Sequence, residues 1–232
     1  MMAEANVMPA DGPVRLAVFD AGGRQVRVLA EGRRTAGTHT VAWDGRDVDG
    51  HLLAGGIYFL RFNCEKGPFT DPRVRKAFSL AVDKKRIVEK ITRAGELAAP
   101  GFVPPGIAGY TGTEGLAFDP ESARTLLTEA GYADGAGFPL VNYLYSKSDL
   151  NEAIAVELQN MWREQLGVTV NLVRQEWKVY LNSLSSLDYG IARSSWVGDY
   201  PDPNTFLDMF ITGGGNNRTG WSDPAYDSLI AC

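Results

Sequence analysis

The apolar residues of this chain change their period once, near Pro68, and that change limits the possible folds more than any motif does. Before it, apolar and polar residues alternate, as in Val14-Arg15-Leu16-Ala17-Val18-Phe19 and Gln25-Val26-Arg27-Val28-Leu29. A period of two is the signature of half-buried strands. Ala21-Gly22-Gly23-Arg24 joins these runs with glycines that can take the positive φ of a tight hairpin. Strands are expected near 14–19, 25–31, 37–43 and 57–63. Four strands and no helix in about fifty residues make part of a β-sandwich, where a complete one has about seven strands. Residues 1–13 carry no such pattern and are expected to be a disordered tail.

After Pro68 the period is helical. Asp71-Pro72 and Asp119-Pro120 each set a carboxylate cap before a proline at the first helical position, with Gly95 and Gly131 as stops. Leu150, Ile154, Leu158, Met161, Trp162 and Leu166 form one apolar helical stripe between strand-like runs at 140–145 and 168–173. That order reads as a β-α-β unit with parallel strands. A strand at 189–196 and short helices at 204–211 and 224–230 follow. Residues 99–115 and 213–217 read as irregular loops. The second part is therefore α/β.

With 44% hydrophobic residues the chain can bury real cores. The formal net charge is −5, and all of it lies after residue 64, because residues 1–64 hold equal numbers of acidic and basic side chains. A basic footprint for nucleic acid is missing, and no run approaches the roughly 20 apolar residues of a membrane span, so neither nucleic acid nor membrane insertion is expected. The opening residues MMAEANVMPADGP lack the features of a secretion signal. Two cysteines, Cys64 and Cys232, make no disulfide framework.

Catalysis is not expected. The two histidines, His39 and His51, stand in the strand-rich part without a second ligand or a nucleophile at useful spacing, and read as surface or turn residues. Asp44-Gly45-Arg46-Asp47-Val48-Asp49-Gly50 imitates a calcium loop, but Gly45 and Gly56 stand where its first and twelfth oxygen ligands would be, so it reads as a polar turn. No metal or cofactor is implied.

Taken together, Val14-Arg15-Leu16-Ala17-Val18-Phe19-Asp20, Gly23-Arg24-Gln25-Val26-Arg27, Ala36-Gly37-Thr38-His39, Trp43-Asp44-Gly45-Arg46-Asp47 and Gly55-Gly56-Ile57-Tyr58-Phe59 resemble the FlgD-type immunoglobulin-like domain over about 10–62. The resemblance implies a β-sandwich with assembly or display roles. Its opening strand is expected to be missing, with Trp43 in the core and Asp44 and Asp47 in the next turn.

A second set is similar to the oligopeptide-binding proteins of ABC importers, from about residue 58 to 230. It comprises Pro68-Phe69-Thr70-Asp71-Pro72-Arg73-Val74-Arg75-Lys76-Ala77, Ala81-Val82-Asp83-Lys84, Phe102-Val103-Pro104-Pro105-Gly106, Gln175-Glu176-Trp177 and Trp196-Val197-Gly198-Asp199-Tyr200-Pro201-Asp202-Pro203. The resemblance implies an α/β lobe of the periplasmic-binding-protein-like, type II, peptide-binding fold, corresponding to most of the C-terminal lobe. It implies an extracytoplasmic setting, an oligopeptide ligand and ABC permease subunits as partners. It sets Asp199 opposite a peptide's α-ammonium, and has Trp196 and Trp177 wall side-chain pockets. Ser195, Trp196 and Val197 would offer backbone groups to an extended peptide, a sequence-tolerant mode of recognition. Arg193 is a candidate for a peptide carboxylate or for an internal salt bridge. Asn151 and Leu184 stand where some members carry longer side chains that read the peptide's C-terminus. The basic residues Arg73, Arg75, Lys76, Lys84, Lys85 and Arg86 are expected to be solvated helix faces.

The expected organisation is a tail at 1–13, an incomplete immunoglobulin-like segment at 14–63 and an incomplete lobe at 64–232. Tyr58-Phe59-Leu60-Arg61-Phe62-Asn63 fits both patterns, as last strand of one and first of the other. The chain thus reads as a chimera, by gene fusion or assembly error. An alternative makes the immunoglobulin-like part the working module, with the lobe as passenger.

Overall fold

Alternating sequence becomes a strand only where a partner strand completes its hydrogen bonds, and the computed structural model shows which partners are found. It describes residues 3–19, 25–42, 48, 56–93, 96–105, 107, 110–112, 114–200 and 202–231. In the first part, β1 (Ala3–Met8), β2 (Gly12–Phe19), β3 (Gln25–Arg34) and β4 (Gly37–Ala42) pair antiparallel as β1 with β4 and β2 with β3. Ala3–Met8 was expected to lie in a disordered tail, at the place of a missing opening strand. It is a strand because β4 supplies its partner, and its small residues Ala3 and Ala5 made the alternation faint. These are two separate two-stranded sheets, and Ala30 is the only buried residue before β5 among those whose burial is described. Trp43, Asp44, Asp47, His51 and Cys232 lie outside the described residues.

The second part contains β5 (Gly56–Phe62), α1 (Pro72–Leu80), α2 (Lys84–Arg86), which runs on as a π-helical stretch over Ile87–Thr92, and α3 (Pro120–Glu129). Then come β6 (Asn142–Ser146), α4 (Asp149–Leu166), β7 (Asn171–Gln175), α5 (Trp177–Ser185), β8 (Ile191–Val197), α6 (Asn204–Leu207) and α7 (Pro224–Ile230). One four-stranded sheet has the order β5-β8-β6-β7, with β6 parallel to β7 and to β8, and β5 antiparallel to β8. The strand that fitted two patterns is therefore the edge strand of the lobe, paired with β8 along its whole length.

Local signals explain most boundaries. Asp71 and Asp119 cap α1 and α3 by accepting from the backbone N–H groups of Arg73 and Ser122, and Ser148 caps α4 through Asn151 N–H. Gly131 follows α3 in the left-handed region at φ 95°, as its stop requires. The π-helical stretch ends at Arg93, itself left-handed at φ 51°, while the expected stop Gly95 lies outside the described residues. The expected helix at 204–211 is α6 followed by a short 3-10 turn over Asp208–Phe210.

The main core lies between one sheet face and α1, α3 and α4, where Trp162, Phe78, Phe69, Tyr143 and Leu127 are almost wholly buried. Trp162 Nε1 donates to the Phe78 carbonyl at 3.0 Å, so the indole is buried without an orphaned donor. On the opposite face α5 covers Leu144, Tyr189 and Ala192, and Ile57, Val103, Ile107 and Phe206 form a third cluster. The basic helix residues are more engaged than expected. Lys84 Nζ donates to the carbonyls of Ala99 and Leu116, pinning both ends of the long loop, and burial lowers its pKa. Arg75 donates to the Phe69 carbonyl, and Arg86 pairs with Glu157 at 2.6 Å.

Candidate functional site

Parallel strands leave their carboxyl ends along one edge of a sheet, and open α/β sheets receive ligands there. Here that edge collects the residues following β6, β7 and β8, among them Asn151, Trp177 and Asp199. Lys147 and Glu176 form an ion pair of 2.7 Å between the first two of these segments.

β8 is the central feature. Its pairing with β6 covers only Tyr143 with Ile191 and Leu144 with Ala192, so from Arg193 to Val197 the side away from β5 carries no strand. The Arg193 carbonyl on that side accepts from the Tyr180 hydroxyl. Backbone groups alternate between the two sides of an antiparallel strand. Ser195 and Val197 therefore turn their N–H and C=O groups to the free side, while Trp196 turns its own to Ile57 of β5. The expectation that all three residues offer backbone groups is corrected to Ser195 and Val197.

Side chains divide in the same way. Arg193, Ser195 and Val197 share a face with Tyr58, and this end of the face is open, with Val197 65% and Tyr58 56% exposed. Trp196 lies on the opposite face, half-buried against the third cluster, with Nε1 donating to the Thr205 carbonyl at 2.7 Å. Trp177, the first residue of α5, is 60% exposed and stacks on Tyr180 with ring centroids 5.5 Å apart.

Asp199 follows β8 and is exposed. Its backbone N–H donates to Thr205 Oγ1 at 2.9 Å, and its carboxylate makes no hydrogen bond or ion pair among the described residues. Close packing fixes this turn. A Cβ on Gly198 would come within 3.0 Å of Thr205 Cγ2 and 3.1 Å of the Phe206 ring. Nearby, burial raises the Asp208 carboxyl, and the charge of Asp199 adds to the effect.

Arg193 holds its guanidinium over the Tyr58 ring, 4.4 Å from the centroid, and its Nε is buried without a hydrogen-bond partner. No carboxylate among the described residues pairs with it. Asn151 is buried and its amide nitrogen donates to the Ser146 carbonyl at 2.8 Å and to Ser146 Oγ at 3.0 Å, which locks the start of α4 to the end of β6. Leu184 lies in the cluster under α5. His39 bonds the Thr35 carbonyl, and no group of three metal-ligating side chains occurs among the described residues. Tyr58, Tyr180 and Thr205 are parts of this site that the sequence did not disclose. Tyr58 enters only through its register opposite Ser195, which no local pattern encodes.

The family of bacterial extracellular solute-binding proteins, family 5, middle segment, matches residues 43–218, and the FlgD Ig-like domain matches residues 5–67. The periplasmic murein peptide-binding protein MppA of Escherichia coli is 39% identical over 197 residues, covering 80% of this chain and 36% of that protein. The periplasmic oligopeptide-binding protein OppA of Salmonella typhimurium is 38% identical over 79% of this chain and 34% of its own length. The chain thus spans about a third of the curated relatives it matches. The unliganded open form of MppA superposes with a TM-score of 0.72 at 37% identity, over 77% of this chain and 36% of that one. Haemophilus influenzae OppA in complex with RPPGFSPFR gives 0.67 at 30% identity, over 77% and 36%.

Proposed function

Because the chain belongs to the family 5 bacterial extracellular solute-binding proteins, we propose that its α/β part is a ligand-gripping lobe of an oligopeptide receptor, working outside the cytoplasm with the permease of an ABC importer. The observation that carries this reading is the free side of β8 ending at an uncommitted carboxylate, Asp199. An extended peptide can pair with Ser195 and Val197 through its backbone, set its ammonium at Asp199 and direct its carboxylate to Arg193. Trp177 and Trp196 bound the space for its side chains from the other face. Recognition of this kind holds the groups every peptide shares and leaves its side chains loosely sorted. The role in binding requires no catalytic group. No helix among the described residues is long and apolar enough to cross a membrane.

The lobe in this reading begins with β5, since Gly56–Phe62 belongs to its sheet. The alternative, with the immunoglobulin-like strands as the working part, finds less support because Ala30 is their only buried residue among those whose burial is described.

Calorimetry and NMR titration of the 232-residue chain with tri- to pentapeptides test the proposal. One lobe leaves the far side of the ligand hydrated, so weak binding, around millimolar, is expected. Asp199 is exposed, so its ammonium pair falls in the range of about 1 kcal/mol rather than that of buried pairs. N-acetylated peptides, or Asp199→Ala, should therefore bind roughly five-fold more weakly. Affinity indifferent to N-acetylation would overturn the ammonium assignment. Submicromolar binding lost in Asp199→Ala would refute the view that one lobe grips weakly.

A further inference from the structure

Among the buried polar atoms without a partner in the described residues are two on one face near the open end of the sheet, the Tyr143 hydroxyl and Arg193 Nε. Such orphans are uncommon, and each carries a desolvation penalty that a partner would relieve. They belong to neighbouring strands and to the same face. Tyr143 of β6 sits opposite Ile191 of β8, and Arg193 is two residues further along β8. Residues two apart along adjacent strands on one face are near enough for side chains as long as tyrosine and arginine to approach each other. Burial pushes the Tyr143 hydroxyl well above its ordinary pKa, and the positive charge of Arg193 is the largest influence opposing that shift. The phenol therefore stays neutral, and can accept from a guanidinium without adding charge. Tyr143 is wholly buried, with its ring edge-on to Trp162 at 5.6 Å. Tyr58 bounds the guanidinium on one side, and among the described residues no hydrogen bond holds its Nε end.

We propose that Tyr143 is a positioning residue for Arg193, accepting a hydrogen bond from the inward Nε–H when a ligand carboxylate docks on the two outward nitrogens. This rests on the reading that Arg193 meets the peptide's carboxylate. A guanidinium offers its donors in a fixed fork, so anchoring Nε aims the other nitrogens as a bidentate pair. Tyr143 then governs how well the site tells a free C-terminus from a blocked one, without touching the ligand.

The test uses the full chain, with tri-alanine and tri-alanine amide as probes in NMR titrations. In the unaltered protein, tri-alanine should shift the Arg193 Nε–H resonance and slow its exchange with water, while the amide leaves it in place. Tyr143→Phe should reduce the preference for tri-alanine over the amide by about five-fold, leave affinity for the amide unchanged, and keep or raise the melting temperature, because an orphaned hydroxyl is removed. If Tyr143→Phe keeps the full preference while Arg193→Ala abolishes it, the positioning role is wrong and the carboxylate reading stands. If Arg193→Ala also keeps the preference, both fall. Should Tyr143→Phe fail to fold, the unaltered protein still decides: an Arg193 Nε–H resonance unmoved by tri-alanine overturns the inference.

Discussion

Gly198 has no room for a side chain. With Thr205 and Phe206 at about 3 Å from where a Cβ would stand, Gly198→Ala overpacks the turn that presents Asp199. We expect a loss of about 1–3 kcal/mol, seen in chemical denaturation, together with weaker peptide binding. Trp177→Ala should behave differently. Its ring is mostly exposed, so stability should change by less than about 0.5 kcal/mol, while affinity for peptides with bulky side chains falls. A stability loss as large as that of Gly198→Ala would make Trp177 a structural residue instead. Asp199, Trp177 and Trp196 could be singled out in the sequence because they lie in contiguous motifs. Asn151 was expected among the peptide-binding residues, and its residue type permits that contact as well as the turn lock it forms with Ser146. Tyr143 was invisible as a partner of Arg193, since that proximity depends on which strands are neighbours.

At the scale of elements, caps and stripes were legible and partners were not. The stripe on α4 buries Ile154, Leu158, Met161, Trp162 and Leu166, while Leu150, its first member, stays 40% exposed one turn ahead of the core. Leu158→Ala should lower stability by about 2–5 kcal/mol, measured by urea unfolding. The helix caps predict the response to acid. Hydrogen bonding to Arg73 holds the Asp71 carboxyl below its ordinary pKa of 3.8, and hydrogen bonding to Ser122 does the same for Asp119. The unfolded chain then binds more protons, so the stability these caps supply is complete above that ordinary value and is lost as pH falls through the folded values below it. Asp208 has the opposite sign, because its raised pKa makes the folded chain take up its proton first, and stability gains as pH falls through that raised value. Thermal melts should therefore decline mainly below about pH 4, and Asp71→Asn should flatten that decline. A fall of the same size in Asp71→Asn would exclude the cap as its source. β5 was ambiguous for a physical reason: period-2 alternation states that a strand has two faces, and says nothing of whose edge it joins.

For the whole molecule, the sequence changes its grammar at Pro68, while the sheet of the lobe already includes β5, the strand that fitted both patterns. Burial differs sharply across that change. Paired amides of β5, β6 and β8, beside the main core, should exchange slowly with deuterium, unlike those of Ser195 and Val197 on the free side, and amides of β2 and β3, where Ala30 is the only buried residue among those whose burial is described, should exchange fast. Equal protection across both would overturn this two-part view of stability.

One consequence concerns direction. β8 passes Arg193, ends at Val197 and leads to Asp199 two residues on, with the unpaired side between Arg193 and Val197. A peptide seated there with its ammonium at Asp199 must run antiparallel to β8. Entering the other way round, it would set carboxylate against carboxylate at one end and ammonium against guanidinium at the other. In the proposed reading the slot would be one-way, with two like-charge clashes enforcing its polarity whatever side chains the peptide carries.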